Sequence, residues 1–295
     1  MTRYRWVAAR KAEGFPTTTA CETAGVSRQA FYDWRQRETV GPTEAEEAEA
    51  ALVQEMREIA DEFDESYGSP RMTAELRDRG WRVNHKRVER LMRAHGIVGI
   101  YKPAKVRTTI PAEDAPPLPD LVKRNFAPGV PDVAWVGDIS YIPTGQGWLY
   151  LATVIDLGSR RLLGYAMAEH MRTELVCDAL AMAAGVRGGR TAGIIFHSDR
   201  GAQYLAGDYR AAVAERGMIQ SVGRTGVCWD NSVAESFFSS LKKERVRGKV
   251  YPSRDAARAD VFDYMEVFYN RQRRHGHNGG LSPVAFEAAH PTRPL

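Results

Sequence analysis

Cysteine is scarce and scattered, with Cys21, Cys177 and Cys228 the only three. Their odd number and the absence of any CxxC pair exclude a disulfide framework and a zinc ribbon, which leaves them as small buried apolar residues. No apolar run approaches the roughly 18 residues that span a bilayer, so no transmembrane helix is encoded. The first ten residues carry arginines but no apolar stretch or small-residue cleavage site. They are not a secretory signal, and a cytoplasmic protein without membrane contact is expected. Histidines form no ligand set either, since His275 and His277 lack a third partner at regular spacing. A strong charge of one sign is also missing, because a net charge of +4 is too small to argue for nucleic acid by itself.

What is present is partitioned along the 295 residues, a length that suggests more than one domain. Positive charge dominates from Arg3 to Arg37. From Thr43 to Asp64 nine acidic residues face only Arg57, and from Arg71 to Arg107 the chain turns basic again. Residues Ile110 to Asp120 hold Pro111, Pro116, Pro117 and Pro119, which forbid regular helix and mark a linker. The expected divisions are a helix-turn-helix over 1–40, an acidic connecting helix over 41–66 and a second helix-turn-helix over 67–108. A linker over 109–126, a catalytic core over 127–250 and a basic helical tail over 251–295 follow. In the connecting helix Leu52, Met56, Ile59 and Phe63 make one apolar stripe, too short for a coiled coil and suited to packing on a neighbour.

Beyond the linker, VAWVGDISYI, WLYLATVIDL and RLLGYAM read as three strands joined by tight turns, an antiparallel meander. A helix through Leu175 to Met182, capped by Thr173, leads to GIIFHSD, whose apolar character fits a buried central strand. A helix near Tyr209 to Arg216, a strand near Ile219 to Val222 and a long helix from about Asn231 to Arg245 complete the order β-β-β-α-β-α-β-α. The class is α/β with a mixed sheet.

Three acids stand out on separate elements. Asp138 interrupts a strand pattern, an odd place for a charge unless something pairs with it. Asp199 ends the apolar run, where open α/β sheets build sites. Glu235 lies on the last helix and faces the sheet if Phe237, Phe238 and Leu241 pack the core. Carboxylates without a histidine cluster suit Mg²⁺ or Mn²⁺. Two such ions can activate an attacking hydroxyl and stabilise a leaving oxygen in phosphoryl transfer. Taken singly, each acid is more often a solvated or salt-bridged side chain than a catalytic one.

Sixty residues separate Asp138 from Asp199 and 35 separate Asp199 from Glu235. This spacing resembles the DDE transposase and retroviral integrase group. The words WVGDISYIPT, FHSDRGAQY, DNSVAESFFSSLKKE and YNRQRRHGHNGGLSPVAFE, in that order, resemble the second reading-frame product of the bacterial insertion-sequence-three family. The resemblance covers nearly the whole chain. It implies a ribonuclease-H-like core with Asp138, Asp199 and Glu235 as the metal-binding catalytic triad. It further implies cleavage at the terminal inverted repeats of the element, then joining to target DNA by direct attack of a 3′-OH. A homo-oligomer on paired ends is implied, as is an upstream reading-frame product, separate or fused by frameshifting. The last word departs from the family pattern, which has an aliphatic residue near Asn278 and an aromatic near Gly280.

Around the triad, Asn231, Ser239 and Lys242 share the helix face of Glu235, and Lys242 and Lys243 are candidates to hold phosphate, or solvated surface lysines. His197 shares the strand face of Asp199 and reads as a hydrogen-bond partner of a carboxylate or phosphate, or as a satisfied core histidine. At the N-terminus, Gly25 in a turn and Ser27 as a cap introduce a helix that offers Arg28, Gln29 and Tyr32 to a major groove. A second pair turns at Gly80 and is capped by Asn84 before Lys86, Arg87 and Arg90, placed for phosphate contacts. Arg271, Arg273 and Arg274 add to the same basic surface, or Tyr269 to Glu287 equally form a packing tail.

Overall fold

Helices with polar caps and small apolar stripes build the N-terminal third. The computed structural model describes residues 2–100, 118–123, 125–223 and 231–290. Cys228 and most of the proline-rich linker fall outside the described residues. Helices α1 (Arg3–Ala12), α2 (Thr17–Ala24) and α3 (Arg28–Val40) close around Val7, Ala20, Cys21 and Phe31. Gly25 ends α2 with φ of 63°, a left-handed conformation that glycine adopts without steric cost. The Ser27 hydroxyl then accepts from the Ala30 amide at 3.1 Å and starts α3.

Helix α4 (Glu44–Glu62) opens with a reciprocal cap. The Glu46 carboxylate accepts from the Thr43 amide at 2.8 Å, and the Thr43 hydroxyl accepts from the Glu46 amide at 3.3 Å. Its stripe of Leu52, Met56 and Ile59 shares one core with α5 (Ser69–Asp78) and α6 (His85–Ala94). The Asn84 side chain accepts from the Arg87 amide at 2.8 Å and caps α6.

The sheet contains β1 (Ala134–Thr144), β2 (Gly147–Asp156), β3 (Leu162–Ala168), β4 (Ile195–Ser198) and β5 (Ile219–Val222), in the order β3-β2-β1-β4-β5. The first three strands are antiparallel, and β4 and β5 are parallel to β1. This is the expected mixed sheet. One face carries Trp135, Val154 and Phe196 against α7 (Thr173–Val186) and α9 (Gly207–Glu215), with α8 (Ala202–Leu205) inserted before α9. The other carries Val136, Leu151 and Ile155 against α10 (Ser232–Leu241) and α11 (Arg254–Asp263).

Some details differ from the expectation. Thr173 is the first helical residue of α7, and Arg172 occupies the cap without a side-chain bond. The expected long final helix stops at Leu241, and Lys242–Val246 continue as a wider π-helical turn. Packing does not break at residue 250 either, because Tyr251, Ala257, Val261, Tyr264 and Tyr269 are buried in the same core as Val136 and Phe237. Helix α12 (Pro283–Ala289) follows Ser282, whose hydroxyl accepts from the Ala285 amide at 3.3 Å. Among the described residues no helix is long and apolar enough to cross a membrane.

Candidate active site

Strand alternation decides which way Asp138 faces. Even-numbered Ala134, Val136 and Ile142 of β1 join the core beneath α10, so Asp138 points to the same side. Its parallel neighbour β4 pairs Val136 with His197. Two residues further along that register Asp199 falls level with Asp138, about one strand spacing of ~4.8 Å away, just where β4 ends. Behind Asp138 the opposite face is full: a Cβ on Gly137 would lie 2.6 Å from the Phe196 ring.

On α10, Ala234, Phe237, Phe238 and Leu241 are buried at helical spacing, which leaves Glu235 at the rim of the apolar stripe in the first turn. Asn231, just before α10, donates its side-chain amide to the Gly137 carbonyl at 3.2 Å and ties the helix start beside Asp138. Burial pushes the Asp138 carboxyl up to about 8, with the charges of Asp199 and Glu235 adding to the rise. The Ile139 amide, donating to it at 2.8 Å, and the Lys242 charge oppose the rise. Asp199 is also raised by burial, against the Gly201 amide that donates to it at 2.9 Å and the His197 charge.

Asp138 therefore feels the charges of both other acids. Among the described residues no three His, Cys, Asp or Glu side chains form a ready-made metal cage. The donor chemistry nonetheless fits a hard divalent cation, because it consists of carboxylate oxygens plus the buried Asn231 Oδ1, which has no hydrogen-bond partner among the described residues. Mg²⁺ suits an incomplete set, since it keeps waters and takes phosphate oxygens to fill its shell.

His197 is buried, and its Nδ1 lies 2.8 Å from the Ser221 hydroxyl, which in turn accepts from the Leu121 amide at 2.9 Å. Lys242 is half-buried; burial lowers its ammonium and Asp138 pulls it back up. Its Nζ lies 4.9 Å from the centre of the Tyr141 ring. Ser239 and Lys243 are partly exposed on the same stretch, whereas Asn231 is buried and faces the sheet instead of solvent.

The other sequence candidates lie apart from this centre. Arg28, Gln29 and Tyr32 are exposed on α3, with Gln29 bonded to Asp33 at 2.8 Å and the Lys11 ammonium 5.0 Å from the Tyr32 ring centre. On α6, Lys86 is exposed, while Arg87 and Arg90 pair with Glu49 at 3.7 and 2.8 Å. Arg271 is exposed in the tail. Arg274 instead pairs with Glu75 at 2.9 Å and Asp78 at 2.5 Å and fastens the tail to α5.

Arg273 corrects the reading of a uniformly basic tail surface. It is buried and holds Glu244 through two bonds of 2.7 and 2.6 Å, with the Tyr264 hydroxyl donating to the same carboxylate at 2.7 Å. Burial pushes the Glu244 carboxyl up, but Arg273, Tyr264 and Arg71 together hold it below its ordinary value. Sequence reasoning also passed over Glu287, which binds Arg187 at 2.5 Å and Arg161 at 2.5 Å and locks α12 to the core. The atypical Asn278 is buried and donates to the Ser159 carbonyl at 2.7 Å.

Comparison with known proteins agrees with this architecture. The integrase core domain family matches residues 130–228 and again, through a second family of that description, 235–290; the HTH-like domain family matches 46–105. The transposase InsF of insertion sequence IS3A from Escherichia coli (strain K12) is 38% identical over 293 residues, covering 97% of this chain and 98% of that protein. The chain belongs to the IS3 transposase family. Another relative, an uncharacterized 31 kDa protein of insertion element IS600 from Shigella sonnei, is 39% identical over 267 residues, covering 90% of this chain and 96% of its own. Among solved structures, the simian T-cell lymphotropic virus intasome in complex with PP2A regulatory subunit B56 gamma matches at a TM-score of 0.44 and 12% identity, covering 78% of this chain and 73% of that one. The HTLV-2 integrase catalytic core domain in complex with magnesium matches at 0.39 and 12%, covering 52% and 95%. The sheet order and family membership make the core of this IS3-family chain ribonuclease-H-like.

Proposed function

We propose that this IS3-family protein is a DNA transposase that binds the ends of its insertion sequence, cuts there and joins the freed 3′-OH to target DNA, using Asp138, Asp199 and Glu235 to hold divalent ions. The carrying observation is Asp138, partly buried on a central strand, with Asp199 just past the end of the neighbouring strand and both Asp199 and Glu235 acting on it. A carboxylate set against two like charges is a poor structural choice and a good cation site.

When bound, Mg²⁺ or Mn²⁺ supplies the charge that activates the attacking oxygen and stabilises the leaving one. The chain's own residues orient the reaction. Asn231 keeps the start of α10 against β1, and the Gly201 amide fixes the Asp199 carboxylate. Lys242 offers a cation for a substrate phosphate beside the acids. His197 steadies Asp199 from the strand below, in contact with Ser221. In cutting, water attacks a phosphodiester and a 3′-OH leaves; in joining, that 3′-OH attacks a second phosphodiester and releases another.

Arg28, Gln29 and Tyr32 on α3 and Lys86 on α6 are proposed DNA contacts, being exposed on the second helix of each helical pair. Lys243, Ser239 and Arg271 add to the phosphate-binding surface. Joining two element ends calls for more than one copy of the chain, and an upstream reading-frame product is the proposed additional partner. A strand-transfer assay with paired element ends and Mg²⁺ tests the reading. Cutting and joining that stop on chelation are expected. Cutting without joining would make the protein a nuclease, and binding without either would make it a DNA-binding regulator.

A further inference from the structure

Two large aromatic side chains stand in solvent at the end of the β1–β2 hairpin. Tyr141 is 51% exposed and Trp148 49%. Their rings meet edge to face with centroids 4.8 Å apart. Strand register explains the meeting: Tyr141 pairs with Tyr150 and Pro143 with Trp148, so the two rings are diagonal neighbours on one face. Rings of this size contribute most when buried, and a pair left in water marks a surface that something covers.

The base under the rings is firmly held. The Gly145 amide donates to the Tyr251 carbonyl at 2.8 Å. Arg254 donates from its side chain to the Trp148 carbonyl at 3.2 Å and from its backbone amide to Gln146 Oε1 at 3.1 Å. The aromatic pair therefore sits on a pre-organised hairpin instead of a loose loop. Tyr141, an odd-numbered residue of β1, stands on the face opposite Asp138, and Lys242 links the two, its ammonium lying 4.9 Å from the Tyr141 ring centre and acting on Asp138.

We propose that Tyr141 and Trp148 form a stacking platform for an unpaired nucleobase at a DNA end, with Lys242 taking a phosphate of the same strand. The proposal rests on reading the three acids as a DNA-processing site and adds to it the state of the DNA that the site receives. An aromatic face stacks any base, and an adjacent cation supplies the phosphate grip, the combination that single-strand binding surfaces use. A base within duplex is already stacked on its neighbours, so the platform selects an opened end. An ammonium against one ring suits a nucleotide, which carries both a base and a phosphate, better than an apolar side chain from a second copy.

Anisotropy titrations of the full-length chain in EDTA test this with two short duplexes of one arbitrary sequence. One is fully paired, and the other carries an unpaired 3′ tail containing 2-aminopurine. Trp148→Ala and Tyr141→Ala are expected to weaken binding of the tailed DNA by about 5- to 100-fold and to leave the paired duplex nearly unchanged. The 2-aminopurine emission, quenched by stacking on the wild-type protein, should recover in both variants, while Trp148→Phe keeps most of the quenching. Equal losses on the two duplexes, unchanged quenching in both alanine variants, or an altered sedimentation mass with DNA binding intact would each overturn the platform. Since these titrations need neither metal nor joining, they stand apart from the acids. A joining-competent Asp199→Asn would defeat the reading of the acids without touching the platform, and intact joining with unselective DNA binding would do the reverse.

Discussion

At the scale of single residues, Asp138 concentrates the conflict between stability and activity. It is a partly buried carboxylate beside like charges, and without a cation it works against the fold. Asp138→Asn is therefore expected to raise thermal stability in EDTA, on the order of 1–2 kcal/mol, and to abolish joining. Differential scanning calorimetry beside the joining assay checks both, and a less stable Asn variant would mean that Asp138 has a structural partner. Gly137 is constrained from behind. A Cβ there would stand 2.6 Å from Phe196 and 3.1 Å from Tyr204, so Gly137→Ala is expected to cost about 1–3 kcal/mol in a urea titration. Asp138 was legible in the sequence as a charge in an apolar strand. The need for Gly137 was not, because it depends on which aromatic rings fill the far face of the sheet.

At the scale of elements, ion pairs between distant segments decide where the chain is held. Helix α12 hangs on Glu287, buried between Arg187 and Arg161. Burial alone pushes this carboxyl up, but the two guanidiniums more than reverse it and leave it below its ordinary value. A depressed carboxylate contributes stability above its unfolded value, about pH 4.3, and loses it as pH falls through the folded value. Glu287→Gln is thus expected to destabilise by about 1–3 kcal/mol near pH 7, because it weakens the charged bonds to Arg187 and Arg161 and leaves Arg187 with Asp132, 2.8 Å away, as its remaining carboxylate. The gap from wild type should narrow in urea titrations at progressively lower pH; a gap that does not change with pH would contradict the pairing. Helix signals were legible where they are local, as with Gly25, Ser27 and Asn84. Arg273 and Arg274 were not, since their partners Glu244, Glu75 and Asp78 lie far away in sequence. A run of arginines looks the same whether it faces DNA or a carboxylate. Glu49 shows the converse on α4, where it engages Arg87 and Arg90. Glu49→Gln is expected to tighten DNA binding a few-fold and to steepen its salt dependence, as anisotropy over a salt series would show. Unchanged affinity would remove these arginines from the DNA surface.

At the scale of the whole molecule, the helical unit of α4 to α6 and the sheet are joined through the C-terminal segment. Phe63 packs on Phe268, the Tyr67 hydroxyl donates to the Gln272 carbonyl at 3.3 Å, and Arg71 approaches Glu244 at 3.6 Å. The segment that reads as a basic tail thus serves as the seam between helices α4 to α6 and the three acids. The mixed sheet and the order of its elements followed from hydrophobic period and turn residues. The placement of Asp199 near Asp138 did not, because which residues pair across β1 and β4 is fixed by the packing of the folded sheet and is not written in either strand alone. In the proposed mechanism the three acids act as one unit. The most direct test is Mg²⁺-dependent strand joining by Asp138→Asn, Asp199→Asn, Glu235→Gln and the triple variant, measured with identical paired ends. Each single change is expected to cost more than about 100-fold, since losing even a supporting partner of a metal ligand costs about 10- to 100-fold. The triple variant should be hardly worse than any single one, as befits groups that work together. Wild-type joining by any one of the single variants would contradict the account.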